Sequence, residues 1–172
     1  MRTPYIKLTK NYPGFMQGTE SYPETGKYIG ALLDHVMDED VGSLPCWFRE
    51  LIGFRVATLN NCVFMAKAHS ACLNFLKDNE FVALVLIGDY TMLNAKYSSL
   101  LKLSELVTDN GNNVNEHHIA LAKDAGCTDD EIHDTVLLTS VFCMMNRYTD
   151  GLGTSLPKGD DVYNTLGKSM YG

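Results

Sequence analysis

What this chain lacks narrows it first. It has no run of lysines or arginines; even Lys7 and Lys10 are separated by two uncharged residues. With 21 acidic against 14 basic residues the net charge is −7. That balance argues against nucleic acid or an anionic membrane as the main partner. The longest apolar stretch, FVALVLIG from Phe81 to Gly88, is far too short to span a bilayer. The N-terminal MRTPYIKLTKNYPGF has no apolar leader segment, so no secretory signal is expected. The five cysteines (46, 62, 72, 127 and 143) are an odd number at irregular spacing. They argue against a secreted disulfide scaffold and make a reducing cytoplasm the expected location.

What is present suffices for one domain with a sizeable core: 172 residues, 45% of them hydrophobic. A mean hydropathy of −0.09 is that of a globular chain. Residues 1–22, rich in Tyr, Pro, Gly and Thr, read as an extended lead-in. From about Glu24, helical spacing takes over, with Tyr28, Leu32, Leu33 and Val36 on one face. Ser43 is a candidate N-cap for the next helix, with Pro45 in its first turn. That helix carries Trp47, Leu51, Phe54, Val56 and Leu59 and is broken at Asn60-Asn61. Another runs from Cys62 to about Leu76. NEFVALVLIG could be a strand, but a short helix fits its surroundings better. NAKYSSLLKLSELVTD is amphipathic, and VNEHHIALAKDAG ends at a C-terminal glycine, Gly126.

Thr128 and Glu131 form a capping box that opens a long apolar helix closed by Gly151 or Gly153. The tail 156–172 is polar and Gly-rich, able to fold over a neighbour or fray. The whole reads as all-α, about six or seven helices, with a helical domain over 23–155.

The stretch LNNCVFMAKAHSAC, from Leu59 to Cys72, carries the chemistry. Cys62 follows Asn61 and so falls at a helix start, where free N–H groups and the helix dipole favour a thiolate. His69, seven residues on, shares its face but lies about 10 Å away along the axis, too far for a direct bond. The position one turn before His69 is Met65, which has no exchangeable proton. Cys72 is about 15 Å from Cys62 on the same helix, beyond disulfide reach. A metal site from Cys62, His69 and Glu50 lacks any standard zinc spacing, and no metal or cofactor is expected. His117-His118, His35 and His133 read as surface positions. Cys127 reads as a surface or interface thiol and Cys143 as packing. Arg147 is placed to pair with a carboxylate such as Asp150.

FRELIGFRVATLNNCVFMAKAH resembles the signature of the carboxymuconolactone decarboxylase-like superfamily, and within it the alkylhydroperoxidase AhpD-like branch. The matching residues are Arg49-Glu50-Leu51, Arg55-Val56-Ala57, Leu59-Asn60, Cys62 and His69. The later GCTDDEI and FCMMNRYTDGLG segments resemble the branch's usual ending, so the likeness spans about residues 25–155. It implies an AhpD-like helical bundle that assembles as a homo-oligomer, commonly a trimer or hexamer. It also implies a peroxidase centre in which Glu50 and His69 relay protons and Cys62 is the first cysteine of a Cys-x-x-Cys-x-x-x-His motif. Met65 stands where that motif has its second cysteine.

Three functions follow as expectations. A thiol peroxidase would use Cys62, His69 and Glu50, and would need an external thiol or another subunit's cysteine to resolve its sulfenic acid. A lyase or isomerase on the same fold would use His69 and Glu50 as general base and acid and would not miss the second thiol. A non-catalytic oligomer would bind a small ligand in an apolar pocket near Met65, Phe64 and Trp47.

Overall fold

The computed structural model describes residues 2–172. Among the described residues there are nine α-helices: α1 (Phe15–Ser21), α2 (Pro23–Met37), α3 (Cys46–Leu59), α4 (Val63–Leu76), α5 (Asn79–Leu86), α6 (Ala95–Asp109), α7 (Glu116–Asp124), α8 (Asp129–Gly151) and α9 (Asp161–Tyr171). A short 3₁₀ turn covers Gly111–Asn113. The all-α expectation holds, but six or seven helices is an undercount. The two additional ones, α1 and α9, lie in the expected lead-in and tail.

Helix α3 is the centre. Nearly every residue from Phe48 to Ala57 is buried, because α3 packs against α4, α6 and α8 at once. Phe48, Leu51 and Ile52 meet Leu100 and Leu103 of α6 and Phe142 of α8 in one apolar cluster. A second cluster joins Ala57, Phe64, Met65 and Ala68 to Val141 and Met145 of α8 and Tyr163 of α9. No helix among the described residues is long and apolar enough to cross a membrane.

The break between α3 and α4 sits at Asn61, whose φ of 56° is one that Asn tolerates better than most residues. This hairpin lays α4 along α3. Thr128 accepts from the Glu131 backbone N–H while Glu131 reaches back to the Thr128 N–H, so the capping box opens α8 as expected. Gly126 and Gly153, with φ of 90° and 64°, stand just past the ends of α7 and α8.

Several local expectations are corrected. Ser43 does not cap α3; its hydroxyl and N–H both bind Asp134, and Pro45 occupies the N-cap. Tyr28 and Leu59 point to solvent, and Ile29 takes the inward place on α2. Cys127 is buried, with its sulfur beside the Ser99 hydroxyl. Asp150 pairs with Arg2 at 2.7 Å, whereas Arg147, among the described residues, donates to the Cys143 carbonyl and to no carboxylate.

Helix α9 returns across α4. Tyr163, Leu166, Gly167, Met170 and Tyr171 recur at helical spacing on its inner side. Gly167 permits the close approach: a Cβ there would come within 2.8 Å of the Ala71 carbonyl oxygen.

Candidate active site

The α3–α4 hairpin brings Glu50 and His69 together. Glu50 lies ten residues before the Asn60 end of the break and His69 eight after Asn61, so the antiparallel pair sets them side by side. His69 Nδ1 is 2.6 Å from Glu50 Oε2. Glu50 is 1% exposed and His69 7%. The other carboxylate oxygen, Oε1, accepts a 2.7 Å hydrogen bond from the Tyr171 hydroxyl. Burial and the negative charge of Glu50 push the Tyr171 phenol well above its ordinary range, so it stays a donor.

Two neighbours hold the imidazole. The edge of Phe142 meets the ring, with centroids 4.6 Å apart. Gly53, one turn beyond Glu50, supplies bare backbone; a Cβ there would lie 2.5 Å from His69 Cε1. With the carboxylate as acceptor, Nδ1 carries a proton, and in the neutral ring Nε2 is then the acceptor. Nε2 is buried and has no hydrogen-bond partner among the described residues.

Glu50 and His69 border a cavity of about 320 Å³ whose walls come from α1, α2, α3, α4, α8 and α9. The lining is mainly apolar and rich in thioethers: Met16, Met37, Met65 and Met170, with Phe64 and Leu33. Unbranched methionines with three rotatable bonds adapt to irregular ligands. Phe64 and Met65 lie where the sequence put them. Trp47 does not; it packs edgewise against Phe48, Phe81 and Tyr97 and is not part of the cavity wall.

Cys62 is placed differently. It is the N-cap of α4, fully buried, and is not part of the cavity wall. Burial pushes its thiol up to about 12; the Met65 backbone N–H opposes this, and Asp150 adds to it. The helix-start argument for an acidic thiol is therefore outweighed by desolvation. Cys72 does line the cavity, with its sulfur 3.9 Å from that of Met170. Burial, then Glu50, push that thiol upward as well. All five cysteines are free.

Three members of the arrangement were not read from sequence: Tyr171, Gly53 and Cys72. The apolar spacing of Tyr163, Leu166 and Met170 was the available signal for α9, and hence for Tyr171. Nothing in sequence marks Gly53 as the floor under an imidazole.

Comparison of the fold with solved structures places it. A peroxidase-related protein of uncharacterised activity from Silicibacter sp. TM1040 superposes with a TM-score of 0.77 at 20% identity, over 88% of this chain and 78% of that one. An alkylhydroperoxidase AhpD core protein, also peroxidase-related and uncharacterised, from Ralstonia eutropha JMP134 gives 0.77 at 22% identity, over 90% and 81%. The fold is AhpD-like. A protein of unknown function from Agrobacterium tumefaciens, a candidate AhpD antioxidant defence protein, superposes at 0.73 with 18% identity, over 85% of this chain and 99% of that one. No sequence-family model matches the chain, and no curated protein matches it by sequence. At these identities the AhpD-like likeness is one of fold.

Proposed function

We propose that this AhpD-like protein is an acid–base enzyme, a lyase or isomerase that moves a proton on a small, largely apolar substrate. The observation that carries this reading is the Tyr171–Glu50–His69 chain, with both carboxylate oxygens engaged and Nε2 left without a partner beside a cavity. In the step proposed, Nε2 takes a proton from a carbon next to a substrate carbonyl. The C–H electron pair moves to the carbonyl oxygen as an enolate, and the same nitrogen returns the proton at another atom. Glu50 stabilises the imidazolium, and Tyr171 holds Glu50 in place. Met65 is no obstacle to this chemistry, because no second thiol takes part.

A thiol peroxidase is the second reading, favoured by the place of Cys62 at the N-cap of α4. There Cys62 would attack a peroxide oxygen to form a sulfenic acid and release water or an alcohol. An external thiol would then reduce it in two steps, through a mixed disulfide.

One experiment separates them. Small ketones and lactones are incubated with the protein in D₂O and followed by NMR for deuterium uptake. Acid–base function predicts uptake that is lost in His69→Ala and in Glu50→Gln and kept in Cys62→Ser. No uptake with any substrate, together with thiol-dependent peroxide consumption that Cys62→Ser abolishes, would transfer the function to the thiol.

A further inference from the structure

We infer that the cavity takes an apolar molecule carrying a cationic group at its solvent end, of the class of small hydrophobic amines in their ammonium form. This rests on the acid–base reading only for the assumption that His69 meets the ligand. Two independent observations carry it. The first is the charge of the wall: none of the lining residues is Lys or Arg, whereas three are carboxylates, Glu20, Asp34 and Glu50. Glu50 is committed to His69 and Tyr171. Glu20 on α1 and Asp34 on α2 are exposed, and neither has a hydrogen bond or ion pair among the described residues. They are free negative charges on the wall where it meets solvent. The second observation is His69 itself: the residue lines the same cavity, is more than nine-tenths buried, and its Nε2 has no hydrogen-bond partner among the described residues, so the cavity has a polar group left for a ligand to satisfy.

The two ends of the cavity thus ask for different things. The interior, walled by methionines, phenylalanines and leucines, accepts an apolar body and no net charge. The solvent end, at Glu20 and Asp34, attracts a cation and repels an anion, and the net charge of −7 acts in the same direction. A carboxylate ligand would find neither Lys nor Arg on the wall to receive it, and His69, the one imidazole there, is already paired with Glu50. Because both rim carboxylates are solvated, the expected discrimination is modest, about fivefold between an amine and its uncharged analogue, and weaker in salt.

Three probes with one body test this: cyclohexylamine, cyclohexanol and cyclohexanecarboxylate. Each is titrated into the full-length protein at low salt, with methyl-labelled methionine and the His69 ring followed by NMR. The inference predicts that all binding moves the cavity methionines, that the amine binds about fivefold tighter than the alcohol, and that the carboxylate is weakest. The double variant Glu20→Gln with Asp34→Asn, two surface changes away from the dyad, should bring the amine down to the alcohol. Equal or tighter binding of the carboxylate, or no response of the methionines to any probe, overturns it. An amine that moves the methionines but not His69 upholds the charge preference and removes the acid–base reading. Uniform binding of all three with His69 moved does the reverse.

Discussion

The hydroxyl of Tyr171 donates a 2.7 Å hydrogen bond to Oε1 of Glu50 across 121 residues of chain. The last residue of α9 is thereby part of the same polar chain as a residue in the central helix. Since Oε2 is taken by His69 at 2.6 Å, Glu50 has a fixed orientation and the imidazole a fixed tautomer. Removing the phenol oxygen should leave Glu50 free to rotate. Tyr171→Phe is expected to cost about 1–2 kcal/mol of stability, as for a buried hydrogen bond to a charged group. It should lower kcat more than it raises KM. Urea unfolding and steady-state kinetics check both.

Gly53 makes a sharper prediction. A Cβ at that position would meet three atoms of the His69 ring at 2.5–2.6 Å, so the ring must move. Gly53→Ala should break the Glu50–His69 bond and destabilise the fold by about 1–3 kcal/mol, the usual range for overpacking. Gain of helix propensity offsets about 1 kcal/mol of that. A shift of the His69 ring resonances in the variant, with other helical signals unchanged, is the expected result.

The cysteines give the chain a pH dependence. Burial pushes the Cys46 and Cys62 thiols up to about 12, and the Cys72 thiol is pushed upward too. Unfolded, each titrates near about 8.5. The folded protein therefore holds these protons where the unfolded chain releases them. The stability they contribute is complete below about pH 8.5 and is lost as pH rises from there toward 12. Urea midpoints should be level from pH 6 to 8 and fall by pH 10. By the same token, Cys62 should alkylate far more slowly than free cysteine at pH 8.

Thr128→Ala is expected to cost about 1 kcal/mol by removing the cap of α8, and Thr128→Ser to restore most of it. Thermal unfolding of the pair checks this.

How legible the fold was depended on whether local signals and tertiary packing agreed. The capping box at Thr128–Glu131 and the breaks at Asn60-Asn61, Gly126 and Gly153 are local devices, and they stand where the sequence put them. Ser43 had the right chemistry for a cap but was drawn to Asp134, 91 residues away, which no local pattern reveals. Helix α9 was hidden because its inner side includes a glycine, Gly167, where helical periodicity expects a side chain. At the site, Glu50 and His69 were readable as a pair only through the resemblance; that the α3–α4 hairpin sets them 2.6 Å apart is what the structure adds. Cys62 was misjudged because position in a helix says nothing of depth: the dipole at its N-terminus is real, but full burial acts more strongly on the thiol.

The most direct test of the central claim is the protonation of the His69 ring, read from ¹H–¹⁵N long-range correlation of the histidine-labelled protein and assigned with His69→Gln. The account predicts a neutral ring with the proton on Nδ1, slow to exchange, and a bare Nε2 that shifts when a ligand enters the cavity. A ring protonated on Nε2, or one whose nitrogens do not respond to any cavity ligand, would contradict it.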